Sequence, residues 1–291
     1  MKWVENCLIS LRNSTYPLNV IVIDNLSTDG TYNYIKQNFP EIELINAEAN
    51  LGFGKANNIG LKIAIEQKAD YVFLLNQDAW IETNTIEKLV IIAEENKDYG
   101  IISPMHYDGS NQKFDHKFIE YIQQTECPDL LQDLWYNRLK TIYSTTFVNA
   151  AAWLIPIACV QLVGGFDPMF PHYGEDVDYV QRVHYNKFKV GISPMAKINH
   201  DARVQLWSEI MWNKNRMYTI YLSEIKNING SLRSNLLVFC KNRFDELTSN
   251  LLYRQFRLFA FKAKLTARIL VNIRPIYLAR KSSLSKKAFL N

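Results

Sequence analysis

Hydrophobic and polar positions alternate along the first half of the chain in blocks that predict strands and helices in turn. The segment N-V-I-V-I-D, residues 19–24, is a continuous apolar run of β-branched residues ending on a carboxylate, and Y-V-F-L-L, residues 71–75, is a second such run. Runs of this kind are typical of strands covered on both faces. Segments with helical spacing lie before and between these runs, and the first of them puts Val4, Leu8 and Leu11 on one face ahead of residues 19–24. Strands alternating with helices predict an α/β fold of three layers with a mostly parallel sheet flanked by helices.

The pattern changes twice after the first hundred residues. From about 108 to 145 it loosens into a segment of aromatic and acidic character, which we interpret as an insertion. Strand-like segments return at 147–160 and 188–198, and the rest of the chain has a helical pattern. We therefore predict one α/β domain over residues 1–203 and a helical, basic extension over residues 204–291.

Composition excludes several classes of protein. A hydrophobic share of 48% and a charged share of 21% are ordinary for a globular chain and exclude global disorder. The four cysteines are widely separated and form no C-x-x-C pair, which argues against a zinc site or a disulfide framework and favours a reducing compartment. The N-terminal segment lacks the apolar core of a signal peptide. The most apolar stretch, residues 147–160, is shorter than the about 20 residues that cross a bilayer, so we predict a buried sheet segment there.

Charge is unevenly distributed along the chain. Residues 251–291 contain 10 Lys and Arg and no Asp or Glu, whereas the first 250 residues contain 23 basic and 29 acidic side chains. Interleaved arginine and aromatic residues in this tail would suit a nucleic-acid binder. A broad apolar face is more typical of an interfacial membrane helix, and an ordinary packed helix with a solvated basic face fits equally well. The apolar face comprises Leu251, Leu252, Phe256, Leu258 and Phe259.

Polar residues with possible chemistry stand where predicted strands end. Asp24 and Asn25 follow the first apolar run, and the run at 71–75 ends on N-Q-D, residues 76–78. Either group alone is typical of a turn or a helix cap. Ligands of parallel α/β sheets bind at the carboxyl ends of the strands, so the two groups together favour a site. A third acidic group, G-E-D-V-D at residues 174–178, begins a predicted helix, where the helix dipole stabilises carboxylates.

The glycine-punctuated segment N-L-G-F-G-K-A-N-N-I-G, residues 50–60, lies between the first two groups. Its glycines would let the backbone approach a ligand closely. It matches neither G-x-G-x-x-G nor a P-loop, which disfavours a classical dinucleotide or ATP site. His200 ends the last predicted strand, and a lone histidine is more often structural than a metal ligand. An oxygen-rich site with one imidazole would suit Mn²⁺ or Mg²⁺ better than zinc.

Taken in order, these segments resemble family 2 of the glycosyltransferases. The resemblance rests on V-I-V-I-D-N-L-S-T-D-G-T, N-L-G-F-G-K-A-N-N-I-G, F-L-L-N-Q-D, G-G-F-D and G-E-D-V-D-Y-V-Q-R, spans roughly residues 3–200, and is nearest to the bacterial rhamnosyltransferase-like branch. It implies a GT-A fold. Members of this family begin with a strand ahead of the helix matched by W-V-E-N-C-L-I-S-L, and we expect that first strand to be missing here.

The resemblance also implies an activity. It is the inverting transfer of a rhamnose-like or other hexose from a nucleotide-diphosphate donor to a hydroxyl of a saccharide or polyprenyl-linked acceptor, in bacterial surface polysaccharide synthesis. We expect a cytoplasmic protein, peripheral at the inner face of the membrane through residues 251–291, with no nucleic acid partner.

Site residues follow from the same resemblance. Asp176 matches the catalytic base and Glu175 stands beside it, while Asp78 and His200 match the site of a divalent metal, Mn²⁺ or Mg²⁺. The residues matched to donor binding are Asp24, Asn25, Asn57, Asn58, Asn76 and Gln77. An alternative function stays open: a catalytically impaired scaffold of the same fold that binds a saccharide or a partner enzyme.

Overall fold

The computed structural model describes residues 1–202 and 207–290. The strands in these ranges are β1 (Ile21–Asp24), β2 (Glu43–Asn46), β3 (Tyr71–Leu75), β4 (Ala79–Ile81), β5 (Tyr99–Tyr107), β6 (Tyr143–Thr145), β7 (Ala152–Pro156) and β8 (Lys189–His200). The helices are α1 (Val4–Arg12), α2 (Thr31–Asn38), α3 (Gly52–Glu66), α4 (Thr85–Glu95), α5 (Phe118–Tyr121), α6 (Leu130–Trp135), α7 (Ile157–Val163), α8 (Glu175–Tyr185), α9 (Trp207–Trp212), α10 (Lys214–Lys226), α11 (Leu232–Leu252), α12 (Phe256–Val271) and α13 (Ile273–Ser282).

The strands form two sheets. β1 and β2 pair in parallel, and the larger sheet has the order β3-β7-β5-β8-β4 with β6 also paired to β8. In the larger sheet only β5 and β8 are parallel, and the other pairs are antiparallel. The α/β prediction is confirmed, but the sheet is mixed instead of mostly parallel. β6 lies at the end of the 108–145 segment and β7 follows it without an intervening crossover helix, so nothing enforces a parallel direction for β7.

Two predicted segments differ from the structure. The strand expected over 147–160 is limited to β7, and its last residues belong to α7, which begins directly at Ile157. The segment 108–145 is more than a surface insertion, since it contributes α5, α6 and β6. Its side chains Phe118, Cys127, Leu130 and Tyr143 are buried in the main core. Burial of these apolar side chains packs the segment against the main core and stabilises it there.

A gap separates the two sheets. Among the described residues, β1 has a strand neighbour only at β2 and β3 only at β7, and no strand precedes α1. Helix α1 bridges the gap: Val4 and Leu8 pack on the small sheet, while Ser10 Oγ accepts a hydrogen bond from Ile81 N at 3.1 Å. β3 was expected to be fully buried, yet only Leu74 is, because one edge of this strand has no neighbouring strand.

The C-terminal helices pack against the α/β part of the chain. Phe170 of the loop before α8 shares a core with Tyr221 of α10 and Ile269 of α12. The chain end returns to the first part, where Ala288 lies against Gly164, whose positive φ of 86° and lack of a side chain permit the contact. The boundary predicted between residues 203 and 204 lies outside the described residues. No helix in the described ranges is both long and apolar enough to span a bilayer.

Candidate active site

The end of β1 is fastened to the glycine-rich segment. Asn25 Oδ1 accepts a hydrogen bond from Leu51 N at 3.0 Å, and Asn25 Nδ2 donates to Gly52 O at 3.2 Å. Asp24 is buried, and its Oδ2 accepts from Ser27 N at 3.0 Å. The polar residues that end this strand therefore shape the loops around the sheet edge and keep a carboxylate at that edge.

The glycine-rich segment is the first turn and body of α3. Gly52 has a positive φ of 74°, and a Cβ at this position would lie 2.5 Å from Pro171 O. The backbone here thus approaches the loop before α8 more closely than any other residue type allows. The segment joins the end of β1 to the loop that leads into the acidic helix.

Asn57 and Asn58, both predicted to line the donor site, have different surroundings. Asn57 is half-buried and its Nδ2 donates to Phe53 O at 3.0 Å within α3. Asn58 is buried: its Oδ1 accepts from Phe166 N at 2.7 Å, and its Nδ2 donates to Phe166 O at 2.8 Å and Phe289 O at 3.3 Å. Asn58 therefore fastens the G-G-F-D loop and the chain end to α3. The geometry gives no support to donor binding by its side chain, because the amide is occupied by backbone groups.

The N-Q-D segment forms the tight turn between β3 and β4. Ala79 N donates to Asn76 O at 3.0 Å, and the Asp78 side chain remains 27% exposed. Asn76 is half-buried and Gln77 is exposed. Pairing of Ala79 with His200 in the β4–β8 ladder brings the end of β8 beside this turn. The sequence prediction that Asp78 and His200 meet is consistent with this register.

His200 lies between two carboxylates. Its Nε2 is 3.5 Å from Asp78 Oδ1, and its Nδ1 is 3.3 Å from Asp115 Oδ2. Burial alone would lower the pKa of His200, but Asp115 and Asp78 together raise that pKa to about 9. Asp115 is buried, and its Oδ1 accepts from Lys117 N and Phe118 N at 2.9 Å each, so its position is fixed. Carboxylates behind a ligating imidazole set its orientation in many metal sites.

The acidic pair begins α8. Glu175 is buried and its Oε2 has no hydrogen-bond partner among the described residues; burial, with a further contribution from Asp176, raises the pKa of Glu175 to about 7. Asp176 is half-buried and its Oδ1 accepts from Val177 N at 2.8 Å. Burial raises the pKa of Asp176, against the opposing charges of Arg216 and Lys117. Two carboxyl groups with raised pKa values at one helix terminus form a candidate acid–base site.

Tyr121 is influenced by the charge of Asp176 and by that of Asp115, which lies beside His200. Burial raises the pKa of Tyr121, and the charges of Asp176, Glu120 and Asp115 raise it further. Tyr121 also packs edge-on against Phe118 and Phe147. The segment 108–145 therefore supplies an aromatic side chain on which the charges of Asp176 and Asp115 both act.

Asp178, the third acid of the G-E-D-V-D segment, points into the protein. Its Oδ2 accepts from Arg182 Nε at 2.8 Å and its Oδ1 from Lys226 Nζ at 2.6 Å. Lys226 Nζ also lies 2.7 Å from Asp167 Oδ2 and donates to Ser283 Oγ at 2.8 Å. These side chains are buried, and the network joins α8 to α10 and α13.

Sequence reasoning missed several residues of the site. Asp115, Tyr121 and Arg216 have no motif around them, and the fold brings each to act on a predicted site residue; Lys226, equally without a motif, is brought to the buried Asp178. The one usable signal was the aromatic and acidic composition of the segment 108–145. Among the described residues, no group of three or more His, Cys, Asp or Glu could by itself hold a metal ion.

Comparison with known proteins gives the family. The model of glycosyl transferase family 2 matches residues 2–151, which is more than half of the chain. A curated relative, N-acetylglucosaminyl-diphospho-decaprenol L-rhamnosyltransferase of Mycobacterium tuberculosis, is 25% identical over 225 residues, covering 68% of this chain and 71% of the relative.

Solved structures support the fold. The Pyrobaculum calidifontis mannosyltransferase PcManGT, in complex with GDP-Man and Mn²⁺, aligns with a TM-score of 0.57 and 14% identity over 99% of this chain and 81% of its own. GalNAc-T7 with UDP, GalNAc and Mn²⁺ aligns with a TM-score of 0.54 and 16% identity over 76% of this chain, which spans only 45% of that one. The chain belongs to glycosyl transferase family 2, and it is a nucleotide-sugar glycosyltransferase with the GT-A fold.

Proposed function

We propose that this enzyme transfers rhamnose or a similar hexose from a nucleotide-diphosphate donor to a hydroxyl of a lipid-linked saccharide, with inversion, in bacterial surface polysaccharide synthesis. The observation that carries the proposal is the position of Asp176. It stands at the start of α8, and its charge acts on Tyr121 together with that of Asp115, which lies beside His200. We infer from this that the proposed base and the Asp78–His200 pair serve one active site.

Asp176 is the proposed general base. Inversion by a single displacement requires one carboxylate to accept the proton of the acceptor hydroxyl, and no second carboxylate nucleophile. Burial raises the pKa of Asp176, which makes its carboxylate a stronger base than an exposed aspartate. Arg216 and Lys117 oppose this shift and favour the ionised form. Glu175, with a pKa of about 7, is largely protonated below neutrality and can donate a hydrogen bond in the same site.

Asp78 and His200 are the proposed protein ligands of a divalent metal ion. One carboxylate and one imidazole 3.5 Å apart, with Asp115 behind the imidazole, form a donor set that would suit Mn²⁺ or Mg²⁺ once the imidazole has released its proton, with phosphate oxygens and water completing it. A bound divalent ion would neutralise charge on the leaving diphosphate. Both solved relatives described above contain Mn²⁺.

The donor itself would lie along the ends of β1 and β3. Asp24, Asn57, Asn76 and Gln77 stay proposed donor contacts, while Asn25 acts through the glycine-rich segment that it holds. We propose that residues 1–203 bind the donor and that residues 204–291 lie on the side of the active site where the acceptor binds.

The acceptor is proposed from the curated relative, whose name describes rhamnose transfer to a diphospho-decaprenol-linked sugar. Such an acceptor is held in a membrane. We therefore propose peripheral contact with the inner face of the cell membrane through residues 251–291.

The test is a donor screen with the purified chain, Mn²⁺ and a short-chain prenyl-diphosphate GlcNAc acceptor. Expected is transfer from dTDP-rhamnose or another nucleotide-diphosphate hexose, with a product of inverted anomeric configuration by NMR. Retention of configuration would refute the mechanism. Absence of donor binding at millimolar concentration would instead favour the scaffold function.

A further inference from the structure

We propose that the turn between α11 and α12, residues 251–257, docks on the surface of an anionic lipid bilayer, at the end of the C-terminal helices where Arg216 acts on Asp176. The inference deepens the proposed function because it would place the base near a lipid-linked acceptor. Docking itself requires no transfer, so the two can be tested separately.

The turn exposes a contiguous apolar group. Leu252 is 81% exposed, Tyr253 76%, Phe256 63% and Leu251 44%. Single exposed apolar residues are ordinary, but four within six consecutive residues form a patch that marks an interaction surface. Arg254 and Arg257, both exposed, complete the turn, which we call the α11–α12 turn.

The inner face of α12 does not take part. Leu258, Leu265 and Ile269 are buried, and Leu265 and Ile269 belong to the core formed with α10 and α11. The ordinary packed-helix interpretation is therefore correct for the body of α12. The turn that precedes it leaves its apolar side chains exposed.

Side-chain contacts fix the direction of the three helices. Asn235, near the start of α11, donates to Ile225 O near the end of α10, at 3.0 Å. Tyr221 Oη donates to Glu246, further along α11, at 2.8 Å. These contacts run in opposite senses along the two helices, so the end of α11 lies beside the start of α10.

α12 runs in the same direction as α10. The Trp212 and Phe261 rings lie 5.5 Å apart, and Arg268 lies over the ring of Tyr218 at 4.2 Å. Phe256 precedes Phe261 by five residues, about 7.5 Å along the helix. The α11–α12 turn is therefore at the same end of the helical region as Trp212, which is itself 49% exposed.

This end of the C-terminal helices contacts the loop that leads into α8 and the candidate base. Arg216, in the first turn of α10, lies over the Tyr173 ring at 4.5 Å, and its charge acts on Asp176. The Asn213 side chain caps α10 by accepting from Asn215 N and Arg216 N, which fixes the position of the arginine. An acceptor hydroxyl close to a bilayer would thus meet the base without leaving the membrane surface.

Charge favours lipid over a protein partner as the occupant. Residues 251–291 hold ten Lys and Arg and no acidic residue, and the turn itself adds two exposed arginines to its apolar group. Aromatic and arginine side chains together are enriched at membrane interfaces, where the rings enter the headgroup region and the cations face anionic lipid.

The test is co-sedimentation of the full chain with vesicles of phosphatidylcholine alone or with added phosphatidylglycerol. We expect binding only to the anionic vesicles. Leu252→Ser with Phe256→Ser should weaken it at least about tenfold, because two apolar side chains leave the interface. Arg254→Gln with Arg257→Gln should weaken it by about fivefold per arginine and abolish part of its salt dependence.

The matched control is Leu237→Ser with Val238→Ser. These residues are 72% and 57% exposed on the same helix α11, about 22 Å from Leu252 along the axis. The control should bind vesicles like the unmodified chain. Equal loss in both double variants, or no binding of the unmodified chain to anionic vesicles, would overturn the proposal.

Two further readouts separate the possible failures. A concentration-dependent oligomer in lipid-free solution that only Leu252→Ser with Phe256→Ser dissociates would show that the turn binds protein, and would also overturn the proposal. Transfer to a water-soluble acceptor should be equal in all variants and in the unmodified chain. If such transfer is absent while vesicle binding behaves as expected, the proposed function fails and the docking surface stands.

Discussion

Replacing Lys226 by methionine tests the link between the acidic helix and the C-terminal helices. The Lys226 side chain is fully buried, with its Nζ 2.6 Å from Asp178 Oδ1 and 2.7 Å from Asp167 Oδ2. Methionine fills nearly the same volume without the charge. The variant would leave Asp178 with Arg182 as its remaining ion-pair partner, while Asp167 would keep only a hydrogen bond from Met169 N at 2.8 Å.

The expected loss of folding free energy is large because the Asp167 carboxylate stays buried without its positively charged partner. Removing one partner of a buried ion pair costs about 3–5 kcal/mol, a large share of the about 5–15 kcal/mol that stabilises a folded protein. For a chain of this size the loss corresponds to a decrease of roughly 6–20 °C in the melting temperature. Urea denaturation followed by circular dichroism measures the free energy of unfolding directly.

Lys189→Met is the matched control. Its Nζ lies 2.6 Å from Asp98 Oδ2, the same distance as in the buried pair, but both side chains are more than half exposed. Exposed pairs contribute little, so the control should unfold like the unmodified chain. Adding Asp167→Asn to Lys226→Met should restore part of the stability, because the amide carries no charge. Equal stability of Lys226→Met and Lys189→Met would refute the reasoning.

The pH dependence gives a second check on the Lys226 variant. Burial raises the pKa of Asp167, and the lysine opposes that increase. Without the lysine the pKa of Asp167 rises further, and the carboxyl is protonated at a higher pH. The deficit of the variant should therefore be greatest at neutral pH and shrink as the pH falls.

Three other perturbations have defined outcomes. Gly52→Ala places a Cβ 2.5 Å from Pro171 O at a φ of 74°, so it should destabilise the chain and weaken donor binding. Gly30→Ala is the control, because at a φ of 83° and with nothing within 4 Å it adds only backbone strain of about 1–2 kcal/mol. Melting curves and donor titration compare the two variants. The pKa of Glu175 is about 7 in the folded state, against an ordinary value of 4.5, so the folded state binds the proton more tightly than the unfolded chain does. The stability that this proton contributes is therefore lost as the pH rises through 7. Glu175→Gln should remove this pH-dependent loss of folding free energy, which in the unmodified chain is on the order of 3 kcal/mol at pH 8 and absent below pH 4.5. Urea titrations at a series of pH values measure it, and identical stability–pH profiles of the variant and the unmodified chain would contradict the assignment. Asp78→Asn should abolish the Mn²⁺ dependence of donor binding in calorimetry, and unchanged Mn²⁺ dependence would exclude Asp78 as a metal ligand.

The fold was predictable where sequence pattern acts locally. The β-branched runs at β1 and β3 and the helical spacing of α1 identify these elements, because burial on the faces of a sheet or helix sets the pattern. The mixed direction of the larger sheet was not predictable, since β7 has the same apolar pattern in either orientation. The half-buried state of β3 was also missed, because lateral neighbours leave no mark on a single strand.

The candidate site was predictable only in its motif residues. Asp78, His200, Glu175 and Asp176 stand in recognisable segments, whereas Asp115 reaches His200 through a fold that brings residues 85 positions apart together. Side-chain direction was equally hidden, so Asn58 could not be separated from Asn57 by sequence. The difference between them is which face of α3 each occupies, and that depends on the packing of the loop before α8.

The most direct measurement of the central claim is transfer by Asp176→Asn alongside donor binding by the same variant. The amide keeps the shape of the side chain but cannot accept the acceptor proton. With Asp176 as the base, turnover should fall by about 10²–10⁴-fold while the donor dissociation constant and the melting temperature stay close to those of the unmodified chain. Comparable turnover in Asp176→Asn would contradict the assignment, and loss of donor binding together with turnover would place Asp176 in the donor site instead.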